Sequence, residues 1–177
     1  MILRTGILIS CSALCCLAAD DSVPYRDPGL KRVAQVAVVC RDVEACSKRW
    51  ASLLGLPAPT SFDTTKVGHE VGLTYRGKPS DARVKMAFIK AANTQLEFLQ
   101  PVGAGSAWQE GLDKNGEGVH HLGFEVEDIE KTIAAFQKEG IAVLQRGRYD
   151  SNDGTYVYLD SHEKLGVILE LLHSDAK

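Results

Sequence analysis

The chain has 177 residues, of which 45% are hydrophobic and 24% are charged, and its net charge is −3. This length fits one domain or two small modules that share a core, and the composition is that of an ordinary globular protein. Because the chain has neither a basic stripe nor an acidic tail, its charge gives no basis for binding nucleic acid.

Residues 1–19 differ in kind from the rest of the chain. They carry one charged side chain, Arg4, followed by a short apolar run and by small residues that end at Ala19. This order is typical of a secretory signal peptide, and the run is too short for a membrane span, which needs roughly 20 apolar residues. We expect cleavage near Ala19 and export to the periplasm or the extracellular space. Anchoring as a lipoprotein through Cys11 is the alternative.

Three of the five cysteines lie in this leader, so the mature chain keeps only Cys40 and Cys46. An oxidising compartment would allow these two to pair. Since Cys40 is predicted to end a strand and Cys46 to lie on the following helix, the geometry of a bridge is not guaranteed. We expect two reduced, partly buried thiols, and the sequence leaves the disulfide open.

The first predicted module spans residues 31–102, after an extended lead-in over residues 20–30. A β-rich run predicts a strand over residues 32–40. Asp42 is placed as the N-cap of a helix with apolar residues at helical spacing, and Gly55 suits its C-terminal end. Three further strands are predicted, over residues 67–75, 84–90 and 94–99.

The second predicted module spans residues 118–173, after a glycine-rich connector over residues 103–117 with one short helical segment. It repeats the plan of the first, with an opening strand and a helix capped by Asp128. Its strands are predicted over residues 119–126, 143–145, 155–159 and 167–172. Each module is β-α-β-β-β, and neither can bury both faces of its sheet alone. We therefore predict an α+β fold in which the paired modules form one curved, cleft-like mixed sheet.

Four polar residues occupy matched positions in the two modules. Gln35 and His121 lie in the opening strands, and Glu97 and Glu170 in the closing strands. An acid centred in an apolar strand is costly to bury, and a bound cation removes that cost. One imidazole, one amide oxygen and two carboxylates suit Zn, Ni, Co, Mn or Mg, with the identity of the metal left open. We therefore predict a divalent metal site made of Gln35, Glu97, His121 and Glu170.

The pattern of the strand over residues 119–126 indicates which of two adjacent histidines faces the cleft. Side chains alternate across a strand. If His121 faces the cleft, the residues that face the helices are all apolar: Leu122, Phe124 and Val126. This pattern favours His121 over His120 as the inward group. The single inward histidine disfavours a non-haem Fe(II) oxygenase, which uses two histidines and one carboxylate.

Over residues 31–173 the chain resembles the vicinal oxygen chelate superfamily, most specifically in HLGFEVEDIEKTIAAFQKEGI and LGVILELL. The stretch GLDKNGEGVHHLGFEV resembles the methylmalonyl-CoA epimerase branch, whereas the four predicted ligands resemble those of glyoxalase I. Epimerases of this superfamily typically carry His at the position of Gln35 and Gln at that of Glu97. The resemblance therefore leaves the branch open.

Both branches imply a metal-dependent isomerase, epimerase or lyase that removes a proton from the carbon next to a metal-bound carbonyl. The resemblance assigns Glu170 as the base and Glu97 as the second choice. It implies a small carbonyl substrate and allows a homodimer, but an exported protein would meet few acyl-CoA esters or glutathione conjugates. The alternative is a non-catalytic small-molecule-binding protein of the resistance type, which uses the same cleft.

Overall fold

The computed structural model describes residues 27–175, so the predicted leader lies outside the described residues. The strands of the first half are β1 (Leu30–Val39), β2 (Asp63–Thr64), β3 (Thr74–Tyr75), β4 (Lys78–Pro79), β5 (Arg83–Lys90) and β6 (Gln95–Val102). Those of the second half are β7 (Gly118–Val126), β8 (Val143–Arg148), β9 (Gly154–Leu159) and β10 (Ile168–Ser174). The helices are α1 (Val43–Leu54), α2 (Ala107–Asn115), α3 (Ile129–Lys138) and α4 (His162–Leu165), with a 3-10 turn at Gly68–Val71.

All ten strands form one mixed sheet in the order β2-β5-β6-β1-β7-β10-β9-β8-β3-β4. The opening strands β1 and β7 pair with each other antiparallel at the centre of the sheet. Each opening strand also pairs in parallel with the closing strand of its own half, β1 with β6 and β7 with β10. The predicted curved α+β sheet is confirmed, and the four strands that carry the predicted ligands are neighbours.

The two faces of the sheet bury different sets of side chains. On the helix face, α1 covers Val38 and Phe98 in one half, and α3 covers Val126 and Leu171 in the other. The opposite face packs a third cluster, here called the cleft cluster, which includes Ala37, Leu99, Trp108 and Tyr158. The alternation expected for β1 is therefore confirmed, because its neighbours Ala37 and Val38 belong to different clusters, and in β7 the predicted helix-facing Phe124 and Val126 pack together on the helix side.

The predicted helix ends are confirmed at the level of single hydrogen bonds. The Asp42 carboxylate accepts from the backbone N–H groups of Glu44 at 2.9 Å and Ala45 at 3.0 Å, and that of Asp128 accepts from Lys131 at 3.0 Å. Gly55 has φ 66°, in the left-handed region that ends α1 without a steric penalty. The start of each long helix is thus fixed by its own sequence.

The predicted strand over residues 67–75 was wrong along most of its length. Residues Gly68–Val71 form the 3-10 turn, and only Thr74–Tyr75 is β-strand. The short strand β3 does not pair with β5 or β6 of its own half. It pairs with β8 of the second half on one side and with β4 on the other. Leu73 and the neighbouring Val71 pack in the cleft cluster. Tertiary packing therefore overrides the local β-propensity of this segment.

Cys40 and Cys46 are joined, contrary to the expectation of reduced thiols. Cys40 follows the last residue of β1, and Cys46 lies in the first turns of α1. The structure forms a disulfide between them, with their Cα atoms 6.2 Å apart. Because α1 begins just after β1 ends, its first turns fold back over the strand and present Cys46 to Cys40.

Within residues 27–175, no helix is long and apolar enough to cross a membrane.

Candidate metal centre

The strand register places Glu97 and His121 on either side of one residue of β1. Ala37 pairs with Glu97 of β6 and with His121 of β7. Directly paired residues project to the same face of a sheet. Both polar side chains therefore point from the face of the sheet on which the cleft cluster packs.

A glycine in β7 makes room for the other two predicted ligands. Gly123 pairs with Gln35 on β1 and with Glu170 on β10. A Cβ atom at this position would lie 2.6 Å from Gln35 Cγ and 2.8 Å from Glu170 Oε2, so a larger residue would displace both side chains. Glycine inside a strand marks such a close approach, and this signal, which the sequence analysis did not use, could have indicated a crowded centre.

The four predicted side chains meet at one point. Gln35 donates from its amide nitrogen to Glu97 Oε2 at 3.0 Å and to Glu170 Oε2 at 2.9 Å. His121 Nε2 lies 3.2 Å from the same oxygen of Glu97 and 3.1 Å from that of Glu170. Both acids and the imidazole are buried, and Gln35 is half-buried. The convergence predicted from matched positions in the two halves is present.

Three of these residues fit a divalent cation. The ligand atoms of Glu97, His121 and Glu170 all lie within 4.8 Å of one another. His121 Nε2 is buried without a hydrogen-bond partner, since its contacts to the acids fall outside hydrogen-bond geometry. Such a nitrogen is costly to bury, and coordination would satisfy it. Ligands about 2.1 Å from an ion stand roughly 3.0–3.4 Å apart, close to the observed contacts of 3.1 and 3.2 Å.

Gln35 fits the same ion only after a change of its amide orientation. Its nitrogen, rather than its oxygen, faces the two carboxylates. An amide nitrogen is a donor and an amide oxygen an acceptor, so ligation requires a half-turn that presents Oε1. As it stands, the uncharged Gln35 amide stabilises both carboxylates by hydrogen bonding.

Burial and charge shift the pKa values of the groups at this centre. Burial by itself lowers the pKa of His121, but the negative charges of Glu170 and Glu97 outweigh it and raise that pKa to about 9. Burial raises the pKa of Glu97. Burial also lowers the pKa of the adjacent His120 to about 3, in the same direction as the charge of His121. Shifted titrations concentrated beside one cleft are typical of functional sites.

A cleft of about 770 Å³ opens over this centre. Gln35, Glu97 and Glu170 line the cleft, whereas His121 is fully buried. The first half contributes mainly aliphatic lining, and the connector and the second half contribute aromatic lining: Val71, Leu73, Met86, Trp108, Tyr156 and Tyr158. This volume falls in the range of roughly 300–1,000 Å³ typical of small-molecule sites.

Aromatic residues of the cleft were not assigned from the sequence. Trp108 lines the cleft and donates its indole N–H to the Tyr158 hydroxyl at 2.9 Å. The Tyr158 ring lies 4.7 Å from the His121 ring. The alternation of Tyr156 and Tyr158 in a predicted strand could have indicated that they share a face. His120, judged only as the less inward of two histidines, is also buried.

Comparison with known families now bears on this geometry. Residues 34–159, more than half of the chain, match the Glyoxalase/Bleomycin resistance protein/Dioxygenase superfamily. The chain belongs to this superfamily. The fold and the resemblance predicted from the sequence are therefore confirmed.

Several curated relatives in the superfamily are epimerases. The chain is 30% identical over 143 residues to the ethylmalonyl-CoA/methylmalonyl-CoA epimerase of Cereibacter sphaeroides, covering 79% of this chain and 96% of the relative. It is 26% identical over 144 residues to the mitochondrial methylmalonyl-CoA epimerase of Homo sapiens, covering 80% and 73%. Of the two predicted branches, these relatives support an epimerase type of enzyme.

Solved structures of epimerases superpose on this chain. A Streptomyces coelicolor methylmalonyl-CoA epimerase in complex with 2-nitronate-propionyl-CoA superposes with a TM-score of 0.58 at 26% identity, covering 83% of this chain and 99% of that one. A methylmalonyl-CoA epimerase in complex with methylmalonyl-CoA and NH4+ superposes with a TM-score of 0.56 at 27% identity, covering 83% and 96%. The epimerase from Mycobacterium tuberculosis, at 15% identity and a TM-score of 0.61, supports the fold alone.

Proposed function

We propose that this protein is a divalent-metal-dependent epimerase that removes and returns a proton at the carbon next to a carbonyl group. The observation that carries the proposal is the convergence of Glu97, His121 and Glu170 within 4.8 Å at a cleft. The epimerase relatives support the reaction type. Metal dependence rests on the fit of the donor set to a cation.

The residues divide by their access to the cleft. His121 is fully buried, so it serves as a ligand and does not reach a substrate. Glu170 and Glu97 line the cleft and reach a bound molecule. When bound, a divalent ion supplies positive charge that lowers the energy of the enolate. Gln35, Glu97 and His121 would hold the ion, and Glu170, which lines the cleft, is the proposed base that takes the proton.

The lining of the cleft supports a substrate with an apolar body and one carbonyl group directed at the acids. Trp108 and Tyr156 present aromatic surface beside the polar centre, and Leu73 and Met86 present aliphatic surface. Contacts between these side chains and the apolar part of a substrate would bind and orient the substrate. Acyl-CoA esters are the candidates that the names of the relatives suggest.

Export remains part of the proposal. The disulfide between Cys40 and Cys46 supports it, since disulfides persist in oxidising compartments. Outside the cytoplasm acyl-CoA esters are scarce, which favours another small carbonyl compound as the natural substrate. Tests of activity should therefore include compounds without CoA.

The decisive experiment joins metal analysis to deuterium exchange. The purified protein should contain a divalent metal, and it should catalyse deuterium incorporation at C2 of methylmalonyl-CoA or of a short thioester analogue, or at C3 of a 2-oxo acid. Chelation should stop the exchange, and Glu170→Gln should slow it about 10²- to 10⁴-fold. The exposed Glu163→Gln on α4 is the matched control and should exchange as the wild type does.

Two results would contradict the proposal. Exchange that survives complete removal of divalent ions would exclude metal dependence. Tight binding of these compounds without any exchange, in the wild type and in Glu170→Gln alike, would favour the non-catalytic binding protein.

A further inference from the structure

We propose that His120 is a positioning residue that holds the hydrogen of His121 on Nδ1, so that Nε2, which faces the two carboxylates, is the nitrogen available to bind a metal. This inference rests on the proposed metal site. It assigns a task to the histidine that the ligand set does not use, and it follows from a chain of hydrogen bonds behind the cleft.

The chain begins at a backbone carbonyl of α2. His120 Nε2 lies 3.0 Å from the carbonyl oxygen of Ala107. A carbonyl oxygen only accepts, so His120 Nε2 must carry the hydrogen. In the neutral ring the other nitrogen, Nδ1, then has a free lone pair.

The next contact passes this constraint to His121. The Nδ1 atoms of His120 and His121 are 2.9 Å apart, and one of them must donate to the other. Since His120 Nδ1 is the acceptor, His121 Nδ1 donates. In neutral His121 the lone pair is therefore on Nε2, the atom that faces Glu97 and Glu170. A hydrogen bond at one ring nitrogen sets which nitrogen can bind a metal.

The surroundings hold both rings in this arrangement. Only 4% of His120 and none of His121 is exposed, which leaves water little access to replace the contact between them. A Cβ atom at Gly111 of α2 would lie 2.6 Å from His120 Cδ2, so the backbone of the helix packs against the ring.

The accepting carbonyl is itself fixed. The backbone N–H of Ala107 donates to Gln145 Oε1 of β8 at 2.8 Å, in a fully buried contact. The start of α2 therefore cannot shift without breaking this bond. The chain Gln145, Ala107, His120 and His121 connects β8 and α2, which lie outside the ligand strands, to the metal centre.

Two isosteric substitutions separate positioning from packing. The Asn side chain places its oxygen near the position of Nδ1, so His120→Asn keeps an acceptor for His121 and loses the donor to Ala107. Gln places its amide near the position of Nε2, so His120→Gln keeps the donor and loses the acceptor. His120→Phe fills the space and loses both. Circular dichroism checks that each variant is folded.

The first readout is the protonation of the imidazole nitrogens in the metal-free wild type, measured by ¹⁵N NMR. We expect hydrogen on Nε2 and none on Nδ1 of His120, and hydrogen on Nδ1 of His121. A His120 ring with its hydrogen on Nδ1 would overturn the inference, whatever the protein catalyses.

The second readout is the dissociation constant for Zn²⁺, measured by competition with a chelator. We expect His120→Gln and His120→Phe to weaken binding about 10- to 100-fold, and His120→Asn by less than about tenfold. Equal losses of Zn²⁺ affinity in His120→Asn and His120→Gln, or no loss of affinity in any variant, would overturn the inference while leaving the proposed metal site intact. A wild type that binds no divalent ion would instead refute the proposed function, and the NMR result would still decide the tautomers.

Discussion

At the scale of single residues, the centre is defined by charge that the fold buries. Glu97 and Glu170 are each centred in an apolar strand, and they face the same imidazole. Two buried carboxylates are unfavourable unless a cation or protons balance them. In the metal-free protein that balance comes from protons, because the pKa of His121 rises to about 9 and burial raises that of Glu97.

Metal binding should therefore release protons. A ligand imidazole must lose its Nε2 proton before it coordinates, and His121 holds that proton at every pH below about 9. At pH 7 we expect about one proton from His121 for each Zn²⁺ bound, measured by calorimetry in two buffers with different ionisation enthalpies. The apparent affinity should rise with pH and level off above about pH 9. Binding without proton release at pH 7 would show that the imidazole is already neutral.

At the scale of elements, β1 and α1 form a unit closed by a covalent bond. The Cys40–Cys46 disulfide joins the end of the strand to the first turns of the helix. The helix also begins with the Asp42 cap, whose carboxylate accepts two backbone N–H bonds. The cap and the disulfide hold the start of α1 against the strand that carries Gln35.

Reduction should destabilise this unit. Closing a loop of about six residues restricts the unfolded chain and contributes about 2 kcal/mol to the free energy of unfolding. We expect a reductant to lower the midpoint of denaturant unfolding correspondingly. The double variant Cys40→Ala/Cys46→Ala is the control, and its midpoint should not respond to the reductant. An unchanged midpoint in wild-type protein whose thiols are shown to be oxidised before the reductant is added would contradict the expectation.

At the scale of the whole molecule, the candidate site belongs to both halves. Gln35 and Glu97 come from β1 and β6, and His121 and Glu170 come from β7 and β10. The segment between β2 and β5 also crosses the halves, because β3 pairs with β8. An ion at the centre would therefore bind only when the two halves are joined.

A bound metal should accordingly stabilise the entire fold. With free ion at about 100 times its dissociation constant, binding adds about 2.7 kcal/mol to the free energy of unfolding. For a chain of this size, this raises the melting temperature by roughly 5–10 °C. Calorimetric scans of chelator-treated and Zn²⁺-loaded protein would measure this shift. Glu97→Gln in the first half and Glu170→Gln in the second should each reduce it. A shift that one of these variants keeps in full would mean that the site does not span both halves.

The sequence by itself determined the features that depend on near neighbours in the chain. Asp42 and Asp128 mark helix starts because their carboxylates accept from N–H groups within the next three residues. Alternation along β7 identified His121, since neighbouring side chains point to opposite faces. The matched positions of Gln35, Glu97, His121 and Glu170 were readable because the two halves repeat one plan.

Only the tertiary structure decided what depends on distant partners. The sequence does not show that β3 joins β8 or that His120 contacts the carbonyl of Ala107. Each of these contacts brings together groups whose local sequence is compatible with other partners. Their selection depends on the burial of apolar surface across the whole sheet, which no short window of sequence contains.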